Sequence, residues 1–223
     1  MQILAIAQVE DKSFISKEIE KQTIKPDHVF FHIDDNPASG LIERRKRIAY
    51  NHQFLVEAVN ELNPVYIWQI EQDSELPVDC LERLLEDHKK LDNGKDKIGY
   101  ISGVEVGRHG LYCLGAWKNI KEDSFESLDY RSKGLQEVDG TGFYCLLAKK
   151  NVWLSGHTSW DGEPYGPDVV YSLSLKKQGY KIYCDMDIQI GHKTKRGIIK
   201  VSDMSTCNAK FFIKDGRWTY KQL

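Results

Sequence analysis

The strongest constraint on the fold is an alternation of apolar runs with helix-period segments along the first 91 residues. Residues 3–7, 28–33 and 65–70 are short apolar runs, the pattern of strands buried on both faces. Between them, residues 12–22 read as a helix followed by a turn at Pro26. Ile48, His52, Leu55, Val59 and Leu62 then step by four, three, four and three residues, which lines one face of a long helix. Pro64 stops that helix, because the ring cannot continue it. Leu81, Leu84, Leu85 and Leu91 line another, with Pro77 near its start. Strand and helix in regular alternation predict a parallel α/β sheet with helices packed on its faces.

The second half is less regular. Residues 98–106 and 142–148 read as strands, and 112–130 as an irregular aromatic stretch. Residues 168–178 form a helix ended by Gly179, a glycine suited to a left-handed cap. Residues 181–184 and 188–190 read as two short final strands. After His192 the chain is basic and polar, with Phe211, Phe212, Trp218 and Tyr220.

Composition removes several function classes. With 41% hydrophobic and 29% charged residues among 223, the chain is globular. A net charge of −2 argues against duplex binding as a main activity. Cys80, Cys113, Cys145, Cys184 and Cys207 include no C-x-x-C pair, so neither a disulfide scaffold nor a zinc site is expected. Reduced cysteines point to the cytoplasm. No run reaches the roughly 18 apolar residues of a membrane helix. The first residues lack the basic start and cleavage site of a signal peptide.

Glu71-Gln72-Asp73 lies directly behind the third apolar run. Open α/β sheets bind ligands beyond the carboxyl ends of their strands. Carboxylates two residues apart on an extended segment project the same way. Such a pair can hold Mg²⁺ or Mn²⁺ through oxygen and leave positions open for diphosphate. A solvated acidic turn is the other reading of the tripeptide taken alone.

The surrounding segment, Tyr66-Ile67-Trp68-Gln69-Ile70-Glu71-Gln72-Asp73-Ser74-Glu75-Leu76-Pro77, resembles the "DxD" segment of GT-A glycosyltransferases, especially family 2. Glu71 departs from the pattern but keeps a carboxylate. Similarity in the order of segments runs over residues 1–195. It implies a single GT-A type, Rossmann-like nucleotide-sugar-binding domain with a mostly parallel central sheet flanked by helices. Residues 196–223 then form a C-terminal tail, read either as a lid over the donor or as a packed hairpin. The resemblance assigns Asp34 and Asp35, with Gln8, to the nucleotide. It assigns Arg44, Arg47 and Asn51 to the donor diphosphate, where the planar Arg fork suits phosphate oxygens. The Gly140-Thr141-Gly142 turn is expected to lie against sugar or phosphate, and Lys193 against the diphosphate. Glu71, Asp73 and His192 are the expected metal ligands.

Asp168 corresponds to the Asp of the family's "ED", the catalytic base of inverting transferases, with Pro167 in place of the Glu. Asp161 is the runner-up base. Asp168 can also be read as a helix N-cap, which would leave a retaining mechanism open. The function implied is metal-dependent transfer of a sugar from a nucleotide-diphosphate sugar, a UDP-sugar by this reading, to an acceptor hydroxyl with inversion. A sugar-phosphate nucleotidyltransferase is a rival. Its usual Gly-rich loop after the first strand is Gln8-Val9-Glu10-Asp11-Lys12-Ser13 here, with no glycine. A non-catalytic carbohydrate- or nucleotide-binding module is the second rival. Residues 103–134 carry no motif that identifies the acceptor, so glycan, protein, lipid and modified nucleobase all fit. The sequence does not encode a readable oligomeric state.

Overall fold

The computed structural model describes residues 2–34, 40–92, 94, 96–107, 113–121, 123–158, 161–162, 165–204, 209–214 and 217–222. In chain order the first half runs β1 (Ile3–Val9), α1 (Ser13–Glu20), β2 (His28–Ile33), α2 (Leu41–Leu62), β3 (Tyr66–Ile70), β4 (Ser74–Glu75) and α3 (Cys80–Leu91). Then come β5 (Ile98–Glu105), β6 (Ala116–Lys121), β7 (Ser124–Ser127), β8 (Leu135–Val138), β9 (Gly140–Thr141) and β10 (Cys145–Lys149). The remainder is α4 (Lys150–Ser155), α5 (Pro167–Lys177), β11 (Lys181–Thr194), β12 (Gly197–Ile199), a 3₁₀ turn (Val201–Asp203), β13 (Ala209–Lys214) and β14 (Arg217–Gln222).

The main sheet has the order β12-β11-β5-β10-β3-β1-β2, with β4 and β8 also paired to β11. β1 is parallel to β2 and β3, and β5 is parallel to β11. β10 is antiparallel to both of its neighbours, β3 and β5, and β12, β4 and β8 pair antiparallel with β11 at the sheet's far side. Every residue of β3 and β5 is buried, which is why both read as mainly apolar runs, broken by Gln69 in β3 and by Ser102 and Glu105 in β5. The predicted mixed α/β architecture with a mostly parallel centre is therefore present.

Alternation along β1 sends its side chains into two cores. Leu4 and Ile6 pack with Leu55 and Val59 of α2, Trp153 of α4 and Tyr171 of α5. Ile3, Ala5 and Ala7 pack with Ile15 and Ile19 of α1 and Leu81, Leu84 and Leu85 of α3. Helix ends follow their residues. Asn63 closes α2 in the left-handed region at φ 47°, with Pro64 directly behind. Pro167 opens α5 at its first turn, and Gly179 follows it at φ 82°.

The second half differs from expectation in three places. The stretch expected to be irregular contains β6 and β7, an antiparallel pair in a second sheet of order β14-β13-β7-β6-β9. Asn119 at φ 54° and a register shift between Lys118 and Lys121 break the period-two pattern that would have revealed β6. The two short final strands are one strand, β11. It pairs Cys184 with Ser102 but Gln189 with Val104, so three extra residues bulge out between them. Asp185 in that bulge pairs instead with Leu135 of β8, a strand absent from the sequence reading. Finally, the basic segment after His192 is strand-rich: β12 extends a hairpin with β11, and β13 pairs with both β14 and β7.

Candidate functional site

The ends of β1, β2 and β3 and the first turns of α2 bring the predicted nucleotide residues together. Asp34 follows β2, and its backbone N–H donates to the Val9 carbonyl at 2.8 Å. The Asp34 carboxylate pairs with the Arg47 guanidinium and accepts from Asn51 Nδ2 at 2.9 Å. Gln8 Nε2 donates to the Ile48 carbonyl at 3.1 Å, tying β1 to the same helix. Four of the named residues thus form one cluster. Asp35 lies outside the described residues. Arg44 is on the exposed face of α2, whereas Arg45 is half-buried and close enough to Asp168 to act on its charge. Arg45 was missed, although it stands three residues before Ile48 and so extends the inward face by one turn.

Glu71-Gln72-Asp73 sits on a turn, not the extended segment expected. The turn is closed by Ser74 N–H donating to the Glu71 carbonyl at 3.3 Å. Gln72 Oε1 accepts from Glu10 N–H at 2.6 Å, stitching the loop after β1 to this turn. On the other side, Lys193 N–H donates to the Asp73 carbonyl at 2.8 Å, and β11 pairs Gly191 with Glu75 and His192 with Ser74. His192 is thereby placed beside the acidic turn, its Nε2 3.7 Å from Asp73 Oδ2. Its Nδ1 is 3.3 Å from Glu105 Oε2 at the carboxyl end of β5.

Glu105 is the second residue that sequence reasoning missed. It is a lone acid ending an apolar strand, and that was the available signal. It is only 4% exposed. Burial, followed by repulsion from Glu71 and Asp73, pushes its carboxyl up to about 7, against the pull of His192. Ser74 Oγ donates to the Tyr144 carbonyl at 3.0 Å and approaches Glu105 Oε1 at 3.4 Å.

Asp168 lies in the first turn of α5, where Gly166 holds the N-cap position. Burial above all, with repulsion from Glu71, raises its carboxyl to about 6, against the Val169 N–H and Arg45, which lower it. Glu71 therefore stands within electrostatic reach of both Asp168 and Glu105. One Asp168 oxygen accepts the Val169 N–H at 2.9 Å. A Cβ on Gly166 would come within 2.4 Å of that oxygen, so a side chain there would require the carboxylate to shift. Thr141 is fully buried, and its N–H donates to Tyr100 Oη at 2.9 Å. Tyr100 in turn meets Ser172 Oγ at 2.8 Å, and a Cβ on Gly140 would sit 2.8 Å from that serine. The Gly140-Thr141-Gly142 turn thus serves as the floor on which the start of α5 rests.

Asp161 is exposed in the segment before α5. The Lys193 ammonium lies 4.0 Å over the Phe14 ring at the start of α1. Among the described residues, no three His, Cys, Asp or Glu side chains stand close enough to hold a metal ion as they lie. Asp73 and His192 form a two-ligand O,N set whose chemistry suits Mn²⁺, with oxygen ligands from elsewhere completing the shell.

No family model and no curated protein matches the sequence. Among solved structures, A197 from STIV is similar with a TM-score of 0.57 at 11% identity, covering 92% of each chain. GalNAc-T7 with UDP, GalNAc and Mn²⁺ is similar at a TM-score of 0.48 and 12% identity, over 86% of this chain and 44% of that one. A nucleoside-diphosphate-sugar pyrophosphorylase from Vibrio cholerae RC9 is similar at a TM-score of 0.38 and 12% identity, over 83% and 72%. The likeness to A197 is one of fold, and fold alone does not carry function. The other two scores lie below 0.5. Among the described residues, no helix is long and apolar enough to cross a membrane.

Proposed function

We propose that this chain is a GT-A type glycosyltransferase, family 2-like, that moves a sugar from a UDP-sugar to an acceptor hydroxyl with inversion. The reading rests on one observation: His192 stands 3.7 Å from Asp73 in the acidic turn, and Glu71 of the same turn is within electrostatic reach of Asp168. Asp73 and His192 would hold Mn²⁺ or Mg²⁺, with Glu71 alongside. When bound, the ion would neutralise charge developing on the departing diphosphate. Asp34 would hold the nucleoside end and Arg47 and Asn51, which pair with it, the diphosphate, with the donor domain spanning residues 1–195 and 196–223 a lid or packing extension.

Asp168 accepts the proton of the acceptor hydroxyl. The acceptor oxygen bonds to the anomeric carbon as the bond from that carbon to the diphosphate oxygen breaks. A carboxylate titrating near 6 is ionised at neutral pH yet basic enough to take that proton. The test is calorimetry of UDP with Mn²⁺, together with a panel of UDP-sugars assayed for UDP and pyrophosphate release. Wild type is expected to bind UDP only with the metal and to release UDP, and Asp73→Ala to lose both. Pyrophosphate release would favour nucleotidyl transfer instead. An Asp73→Ala protein that transferred sugar at the wild-type rate would sink the proposal.

A further inference from the structure

Register alone sets up an arrangement that the donor reading does not use. The three-residue bulge in β11 shifts its pairing so that Ile190, not Asp187, lies opposite Glu105 on β5. In a strand, alternate residues share a face, so His192 follows Ile190 onto the face of Glu105. Ser74, paired with His192 across β4, joins them there. The imidazole is consequently bracketed. Glu105 Oε2 is 3.3 Å from Nδ1, and Asp73 Oδ2 is 3.7 Å from Nε2. The two carboxylates differ in kind: Glu105 is buried and Asp73 is partly open.

We propose that Glu105 is a positioning residue that takes the Nδ1–H of His192, so that the imidazole presents the bare lone pair of Nε2 on the Asp73 side. A neutral imidazole has one donor and one acceptor nitrogen, and a buried carboxylate on one side decides which is which. Metal-binding histidines commonly have their second nitrogen held in this way. Ser74 Oγ, anchored on the Tyr144 carbonyl, braces the other oxygen of Glu105. The purpose rests on the donor-site reading above, but the tautomer itself does not.

The test is long-range ¹H–¹⁵N correlation of the His192 ring in metal-free protein at pH 8. Wild type is expected to show the Nδ1–H tautomer. Glu105→Ala should lose it, while Glu105→Gln, which keeps an acceptor oxygen, should retain it. A second readout is Mn²⁺ binding in the presence of UDP, expected to weaken 10- to 100-fold in Glu105→Ala and less in Glu105→Gln. An Nε2–H tautomer in wild type overturns the proposal, as does a Glu105→Ala protein with an unchanged His192 tautomer. If the tautomer depends on Glu105 but wild type binds no metal, the positioning role stands and the donor reading falls.

Discussion

His52 offers a direct measurement of how dry the interior beneath α2 is. The ring is 4% exposed and stacks on Trp153 with centroids 4.5 Å apart and planes 19° from parallel. Among the described residues its Nε2 has no hydrogen-bond partner. Burial lowers its pKa from 6.5 to about 4, so the folded protein holds this imidazole neutral. Between those two values the unfolded chain binds a proton that the folded chain refuses, and stability therefore falls as pH falls. At 1.36 kcal/mol per pKa unit, the loss from this group reaches about 2 kcal/mol by pH 5 and about 3 kcal/mol by pH 4. The perturbation is His52→Leu, an apolar side chain of similar volume with nothing to titrate. Urea unfolding of both proteins between pH 7 and pH 4 gives the difference. Glu105 and Asp168 titrate in the same range with opposite sign, since their raised values favour the folded state at low pH. They are present in both proteins and cancel in the comparison. The stability gap should shift towards the variant by about 3 kcal/mol on going to pH 4. Parallel stability curves would refute a buried neutral imidazole.

Two further outcomes follow from the same packing and charge arguments. A Cβ at Gly156 would stand 1.9 Å from Cε2 of the fully buried Tyr171 ring, so Gly156→Ala should cost about 1–3 kcal/mol in urea unfolding; an unchanged midpoint would mean that the ring is free to move. The carboxyl of Asp168 titrates at about 6, and a general base must be ionised, so kcat/KM should fall below about pH 6 and Asp168→Asn should lower kcat at least about 100-fold; a variant retaining full kcat would assign the proton to another group.

The first half of the chain was legible because its signals are local. β3 is apolar at nearly every position, and Pro64 and Pro77 mark helix boundaries without help from tertiary structure. β6 and β7 were hidden because they belong to a smaller antiparallel sheet with charged outer positions and a bulge. The break read between 184 and 188 was real as chemistry, since Asp185 and Asp187 interrupt the apolar pattern. It was misread as a strand end because only pairing with β8 shows that the strand continues. The candidate site divides the same way. Asp73, His192 and Asp168 were visible from motif order. The choice of Arg45 over Arg44 depends on helix phase, and the approach of Glu105 to His192 depends on a register shift that one strand cannot reveal on its own.

The antiparallel strand β10 has a consequence for how the chain can be made. The strands on one side of it, β2, β1 and β3, are complete by residue 70, and β5 is complete by residue 105. In the main sheet order, β10 at Cys145–Lys149 lies between these two groups. A ribosome that has not yet released those five residues therefore holds a nascent chain whose β3, buried along its whole length in the finished sheet, has a bare edge, open to wrong partners. Fragments ending before Cys145 should share that hazard, so the shortest soluble N-terminal fragment is set by where the sheet is joined and not by where the predicted donor residues end.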